Sequence, residues 1–168
     1  MNVILILASD RVASGEKEDG TTQELKPLLD QMGALLMDAR VVADEEEALV
    51  AALETACKEA DLVLTSGGTG IGSRDVTPEA TRRILDRELV GFGEVMRRCS
   101  SPAIPTACLS RATAGTRGST LVINLPGSPR GAAECLAALI PAILHGVAVL
   151  DGKVEDCVAE QLGGNDPL

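Results

Sequence analysis

Leu62-Val63-Leu64-Thr65-Ser66-Gly67-Gly68-Thr69-Gly70-Ile71-Gly72-Ser73-Arg74-Asp75-Val76-Thr77-Pro78-Glu79 is the stretch on which the fold turns. It opens with a short apolar run, which reads as a buried strand. Four glycines within six residues follow, a loop in which the backbone can take left-handed conformations. Thr77-Pro78-Glu79 then reads as a helix start, a cap followed by proline at the first helical position. A strand, a glycine-rich loop and a helix in that order make up half of a βαβ unit.

The same alternation extends in both directions. Upstream, Val3-Ile4-Leu5-Ile6-Leu7-Ala8 is a second buried strand. Thr21 or Thr22 caps a helix with the stripe Leu25, Leu28, Leu29, Met32, interrupted by Pro27 and closed by Gly33. Residues 35–43 read as a strand. Asp44, with Glu47 three residues on, has capping-box spacing for a helix burying Leu49, Leu53 and Cys57. Downstream, residues 78–99 hold one helix or two, broken near Val90-Gly91-Phe92-Gly93. Residues 106–118 read as short strands or a crossover, and Leu121-Val122-Ile123 as another buried strand. A long helix follows with the stripe Leu136, Leu139, Ile140, Ile143, Val147. Short connections between alternating elements predict a three-layer α/β fold: a central, mostly parallel sheet with helices on both faces. Residues 1–160 are expected to form one domain, with 161–168 a frayed tail.

Composition narrows the function. There are 168 residues, one aromatic (Phe92) and a formal net charge of −10, with 25 acids against 15 bases. Stacking on bases and a basic duplex footprint are both missing, so no nucleic-acid partner is expected. The apolar start is too short to span a bilayer and no other apolar run is expected to reach that length, so no membrane partner is expected either. Five cysteines without a C-x-x-C pair predict reduced, mostly buried thiols and a cytoplasmic location. His145, the single histidine, reads as a packing residue. Between Gly72 and Arg130, nine arginines outnumber five acids and no lysine occurs, so this segment carries +4 and the rest −14. Such an island suits recognition of anionic oxygens. For Arg82, Arg83, Arg97 and Arg98 exposed helix faces are the expectation.

In a parallel sheet, ligands bind beyond the carboxyl ends of the strands. Three loops leave those ends: Ser9-Asp10-Arg11, Ser66 to Asp75, and Asn124 to Ser128. The glycine loop can turn successive N–H groups toward an anion as a nest, although it is neither a Walker A nor a dinucleotide fingerprint. Asp44 and Asp75 each lie between a strand and a helix. They serve as caps, or as the one or two carboxylates with which Mg²⁺ joins substrate phosphates.

Residues 65–81 (Thr65 to Thr81) closely resemble the signature of the MogA/MoaB family of molybdopterin adenylyltransferases, which is related to the G domains of gephyrin. Ser9-Asp10, Asp44-Glu45, Ser110-Arg111, Arg117-Gly118 and Asn124-Leu125-Pro126-Gly127-Ser128-Pro129 resemble further family segments, over about residues 2–150. The resemblance implies transfer of AMP from Mg²⁺–ATP to the terminal phosphate of molybdopterin, with release of pyrophosphate. It implies Asp44 and Asp75 as catalytic residues and Mg²⁺ ligands. It also implies nucleotide or molybdopterin contacts from Ser9, Asp10, Gly67, Gly68, Thr69, Gly70, Arg74, Ser110, Arg111, Asn124, Pro126, Gly127 and Ser128. The implied assembly is a homotrimer, or sometimes a hexamer, with a molybdate-insertion protein as a further partner. A non-catalytic molybdopterin-binding relative and a pyrophosphatase-type relative are the competing readings.

Overall fold

The computed structural model describes residues 1–16 and 18–153, so the expected frayed tail at 161–168 lies outside the described residues. The elements run β1 (Asn2–Ala8), α1 (Asp10–Ala13), α2 (Thr21–Gln31), β2 (Leu35–Val42), α3 (Glu46–Ala56), β3 (Leu62–Ser66), α4 (Thr77–Ile84) and β4 (Arg87–Glu88). They continue α5 (Val90–Ser100), a 3₁₀ turn (Pro105–Leu109), β5 (Ala114–Arg117), β6 (Thr120–Leu125) and α6 (Pro129–Leu150). The strands form one sheet in the order β2-β1-β3-β6-β5-β4. The pairings β2–β1, β1–β3 and β3–β6 are parallel; β6–β5 and β5–β4 are antiparallel. The sheet is therefore mixed, with helices on both faces.

The period of two in a strand explains why β1 is apolar throughout. Val3, Leu5 and Leu7 join one core with α2, α5 and α6, whereas Ile4, Ile6 and Ala8 face Leu49, Leu53, Ala80 and Ile84 of α3 and α4. Each fully buried Leu or Ile contributes about 1.5–3 kcal/mol. With no Trp or Tyr in the chain, both cores are aliphatic.

Several local expectations are corrected. Neither Thr21 nor Thr22 caps α2: Gly20 holds the capping position, and Asp19 before it supplies the acceptor, its Oδ1 taking Thr21 N at 2.7 Å and Thr22 N at 3.3 Å. Pro27 sits inside α2 without ending it. Gly33 (φ +64°) does close the helix: its N–H bonds Asp30 O and that of Ala34 bonds Leu29 O, a Schellman arrangement. Asp44 and Asp75 are not caps, because the capping positions of α3 and α4 are Glu45 and Val76. Thr77 lies inside α4, and its hydroxyl caps nothing. Residues 78–99 form two helices separated by the short edge strand β4. That strand pairs Arg87 with Thr116 and Glu88 with Gly115, a long-range contact with no local periodic signal.

One apolar run does have the length and composition of a membrane span: α6, with 22 residues. Its Cys135, Leu136, Leu139, Ile143 and Val147 are buried against the sheet, so that stripe belongs to the protein core. Its outer face is also apolar, with Ala137, Ala138, Pro141, Ala142, Leu144 and Val149 exposed. The thiols are less buried than expected. Cys135 is buried and Cys57 half-buried, while Cys99 and Cys108 are exposed.

Candidate active site

The chain leaves β1 for β2 on one side and reaches β3 on the other. A crevice therefore opens beyond the carboxyl ends of β1 and β3, where the strand order reverses. A polar cavity of about 240 Å³ occupies it, lined among others by Ser9, Arg11, Asp44, Gly67, Gly68 and Gly127. Across the glycine loop lies an apolar cavity of about 360 Å³, lined by Thr69, Gly70, Met96, Ser110, Pro126 and Ser128 among others. One wall, made of the glycine loop and the Pro126–Ser128 turn, separates the two.

The glycines are required by geometry. Gly67 has φ +104°, and a Cβ there would overlap the carbonyl oxygen of Ala8. Gly68 has φ +61°, and a Cβ would overlap the Thr77 hydroxyl. Among the described residues, no acceptor in the chain takes the backbone N–H groups of Gly68, Thr69 or Gly70. That leaves them available to an anion, as a nest requires. The N-termini of α2 (Gly20, Thr21) and α6 (Pro129) and the side chain of Arg11 also reach the polar cavity. Partial positive charge therefore reaches it from the α6 N-terminus, whereas Asp19, which lines the cavity with Glu18, already neutralises the α2 N-terminus.

The carboxylates interlock. Asp44 Oδ2 accepts from Asp10 N at 3.0 Å, and Asp10 Oδ1 accepts from Asp44 N at 3.0 Å, tying the β1–α1 turn to the β2–α3 turn. Arg74 grips Asp10 bidentately, its Nε donating to Oδ2 at 3.1 Å and its Nη2 to Oδ1 at 3.0 Å. That guanidinium, with the Asp44 N–H, holds the Asp10 carboxyl below its usual range. Burial pushes Asp44 the other way, helped by the nearby charges of Asp10 and Asp75. Asp75 Oδ2 accepts from Gly72 N at 2.7 Å and so closes the glycine loop. Ser9 Oγ accepts from Val12 N at 3.3 Å and caps α1.

Mg²⁺ fits this donor set as a shared ion. Asp44 Oδ1 is buried with no hydrogen-bond partner in the chain, an arrangement suited to a cation. Among the described residues no cluster of three or more acidic, His or Cys side chains could enclose a metal unaided. A site completed by substrate phosphates is the form Mg²⁺ prefers.

The structure therefore divides the residues singled out from sequence. Ser9, Asp44, Gly67, Gly68 and Gly127 line the polar cavity, and Thr69, Gly70, Ser110, Pro126 and Ser128 the apolar one. Asp10 and Arg74 form the ion pair at the rim, and Asp75 braces the loop. Two residues lie behind the site. Arg111 is a strut: its Nε donates to Gly70 O at 2.6 Å, and its other nitrogens bond Asp75 O and Glu79. Asn124 is fully buried, its Nδ2 donating to Thr65 Oγ1 at 3.0 Å and Thr81 Oγ1 at 2.9 Å. Neither lines the polar or the apolar cavity. Sequence reasoning passed over Arg97, expected on an exposed face, which donates to Ser110 O at 3.2 Å and lines the apolar cavity. Met96 and Cys135 in that cavity were legible only as core residues, because their helical spacing is the same in either role. Arg82 and Arg83 make surface ion pairs, as expected.

Residues 4–145 match the family model described as "Probable molybdopterin binding domain". A molybdopterin adenylyltransferase of Helicobacter pylori is 41% identical over 157 residues, covering 91% of this chain and 89% of that protein. One from Escherichia coli is 38% identical over 160 residues, covering 88% and 80%. The crystal structure of the molybdopterin biosynthesis enzyme MoaB from Thermus thermophilus superposes with a TM-score of 0.85 at 39% identity, covering 92% of this chain and 99% of that one.

Proposed function

The chain belongs to this molybdopterin-binding family, and from that premise we propose that it is a molybdopterin adenylyltransferase: the terminal phosphate of molybdopterin attacks the α-phosphate of ATP, and pyrophosphate leaves. The observation that carries the reading is the pair of cavities, one polar and one apolar, on either side of a single glycine loop with free N–H groups. Such a loop can hold the reacting phosphates where two substrates meet. Phosphoryl-type transfer asks the protein mainly for positioning and charge neutralisation, so no nucleophilic side chain is needed. Gly68, Thr69 and Gly70 bind phosphate oxygens through their N–H groups, with the α6 N-terminus adding positive charge. Asp44 and Asp75 would hold Mg²⁺, which when bound would supply neutralisation of the triphosphate. Arg111 keeps the loop in shape from behind, and Arg74 draws Asp10, and with it Asp44, toward the loop.

The reading extends to assembly and setting. Beyond the Arg130–Glu134 ion pair of its first turns, the exposed face of α6 consists of apolar residues, and beside it a groove of about 640 Å³ is lined by Leu89, Phe92, Pro141, His145 and Val149 among others. A contiguous apolar surface of this kind suits a subunit interface, which supports a homo-oligomer, a trimer by family likeness. A cytoplasmic location and docking of a molybdate-insertion protein complete the proposal.

The test is incubation with ATP, Mg²⁺ and molybdopterin, followed by chromatography. Adenylyl-molybdopterin and pyrophosphate are the expected products. Molybdopterin binding without turnover would identify a non-catalytic relative. Hydrolysis of a dinucleotide pyrophosphate, with no transfer to molybdopterin, would identify the pyrophosphatase type.

A further inference from the structure

Two buried polar atoms have no hydrogen-bond partner within the chain although they face the same spot: Asp44 Oδ1 and Thr77 Oγ1. Both lie within 3.2 Å of the position that a Cβ on Gly68 would take. One is a carboxylate oxygen, which accepts; the other is a hydroxyl, which donates. Thr77 is fully buried. Its backbone is fixed independently of its side chain, since Thr77 N donates to Gly68 O at 3.1 Å. As the first residue of α4 it could spend its hydroxyl on a helix cap, and it does not. A buried hydroxyl left unpaired is costly in any protein, and this one sits beside the carboxylate best placed to relieve it.

We propose that Thr77 is a positioning residue for the adenylyl transfer proposed above: the two atoms make no hydrogen bond to each other as placed, and a small rotation of the hydroxyl, or one bridging water, closes the link that holds Asp44 Oδ1 and so fixes the carboxylate plane. The other oxygen of Asp44 is already held by Asp10 N at 3.0 Å. With Oδ1 held as well, the carboxylate has one orientation, and its remaining lone pairs are aimed before substrate arrives. Gly68 then has a second purpose. Besides presenting its N–H, it leaves open the space in which the hydroxyl and the carboxylate meet, and any Cβ there would push Thr77 Oγ1 aside. The inference rests on the proposed reaction for its catalytic consequence, and on geometry alone for the hold on Asp44.

Thr77→Val keeps the shape of the side chain and removes only the donor. The expected result is a kcat lowered about 10–100-fold, the usual effect of losing a group that orients a metal-binding carboxylate. The KM for ATP should stay within about twofold. The melting temperature should be unchanged or slightly lowered, because the buried Asp44 Oδ1 is left without its donor. Thr77→Ser, which restores the donor, should recover most of the rate, and Thr77→Ala serves if the valine variant folds poorly. Turnover at the wild-type rate in a folded Thr77→Val protein would overturn the proposal. Crystal structures of wild type and Thr77→Val give a readout independent of activity: the Asp44 carboxylate should rotate or become disordered in the variant. An unmoved Asp44 would overturn the proposal even if wild type transferred no adenylyl group, a result that would separately sink the proposed function.

Discussion

Replacing Gly67 by alanine tests the wall between the two cavities. Two costs add. At φ +104° the residue lies beyond the left-handed helical well, in a region nearly reserved for glycine, with strain of order 1–3 kcal/mol. The new Cβ would also sit well inside 3.0 Å of Ala8 O, a backbone atom at the end of a central strand. It cannot swing away as a side chain would, so overpacking adds about 1–3 kcal/mol. The sum is about 4 kcal/mol, or a melting temperature lower by roughly 8–16 °C for a domain of this size. Gly33→Ala is the control. Its φ is +64° and a Cβ there meets nothing within 4 Å, so it carries only the left-handed penalty of about 1–2 kcal/mol. Urea unfolding followed by far-UV circular dichroism measures both, since the chain has no Trp or Tyr for fluorescence. Equal costs for the two variants would refute the close approach of the glycine loop to β1. Because Ala8 leads into Ser9 and Asp10, relieving the overlap also widens the crevice, and ATP affinity should fall with stability.

Other expected outcomes follow from the same geometry. Asp75→Asn keeps an oxygen to accept from Gly72 N but loses the charge, so transfer should fall by orders of magnitude with an almost unchanged melting temperature; near wild-type turnover would remove Asp75 from the site. Asn124→Ala should cost about 1–3 kcal/mol by leaving the Thr65 and Thr81 hydroxyls without their donor, measured by urea unfolding, and a neutral result would show that the bridge contributes nothing. Burial pushes the Cys57 and Cys135 thiols up to about 11, so mass spectrometry after iodoacetamide at pH 8 should find Cys99 and Cys108 alkylated and those two spared. The same shifts set a pH dependence. A thiol protonated in the fold but free to ionise when unfolded lowers stability as pH climbs from about 9 toward 11, and a Cys57→Ala, Cys135→Ala double variant should flatten that limb. For the proposed oligomer, an apolar interface between protomers of net charge −10 should survive or tighten as salt rises. Light scattering that shows dissociation at high salt would overturn that interface.

What the sequence by itself determined is local and periodic. The unbroken apolar run Val3–Ala8 made a strand buried on both faces, the spacing of Leu136, Leu139, Ile143 and Val147 placed α6 on the sheet, and the run of glycines marked the loop. These follow because a strand repeats every two residues and a helix every 3.6, so each element announces its buried face within a few residues. The family signature across the glycine loop pointed to the candidate site in the same local way. Only the tertiary structure decided which polar side chains meet. The Asp10–Asp44 interlock spans 34 positions, the Arg111 bond to Gly70 spans 41 and the Asn124 bond to Thr65 spans 59. Nothing local distinguishes an arginine that binds substrate from one that braces the loop from behind. For Asp44 and Asp75 the spacing read as capping, yet Asp44 is claimed by Asp10 N from the neighbouring strand's loop and Asp75 by Gly72 N within its own loop. The short β4–β5 pairing escaped for the same reason: two residues are too few to show a period, and their partners lie beyond α5. Hydrophobic burial acts on any apolar surface and so leaves a pattern in the chain. Hydrogen bonds and ion pairs depend on where particular atoms arrive once that burial has packed the sheet and helices.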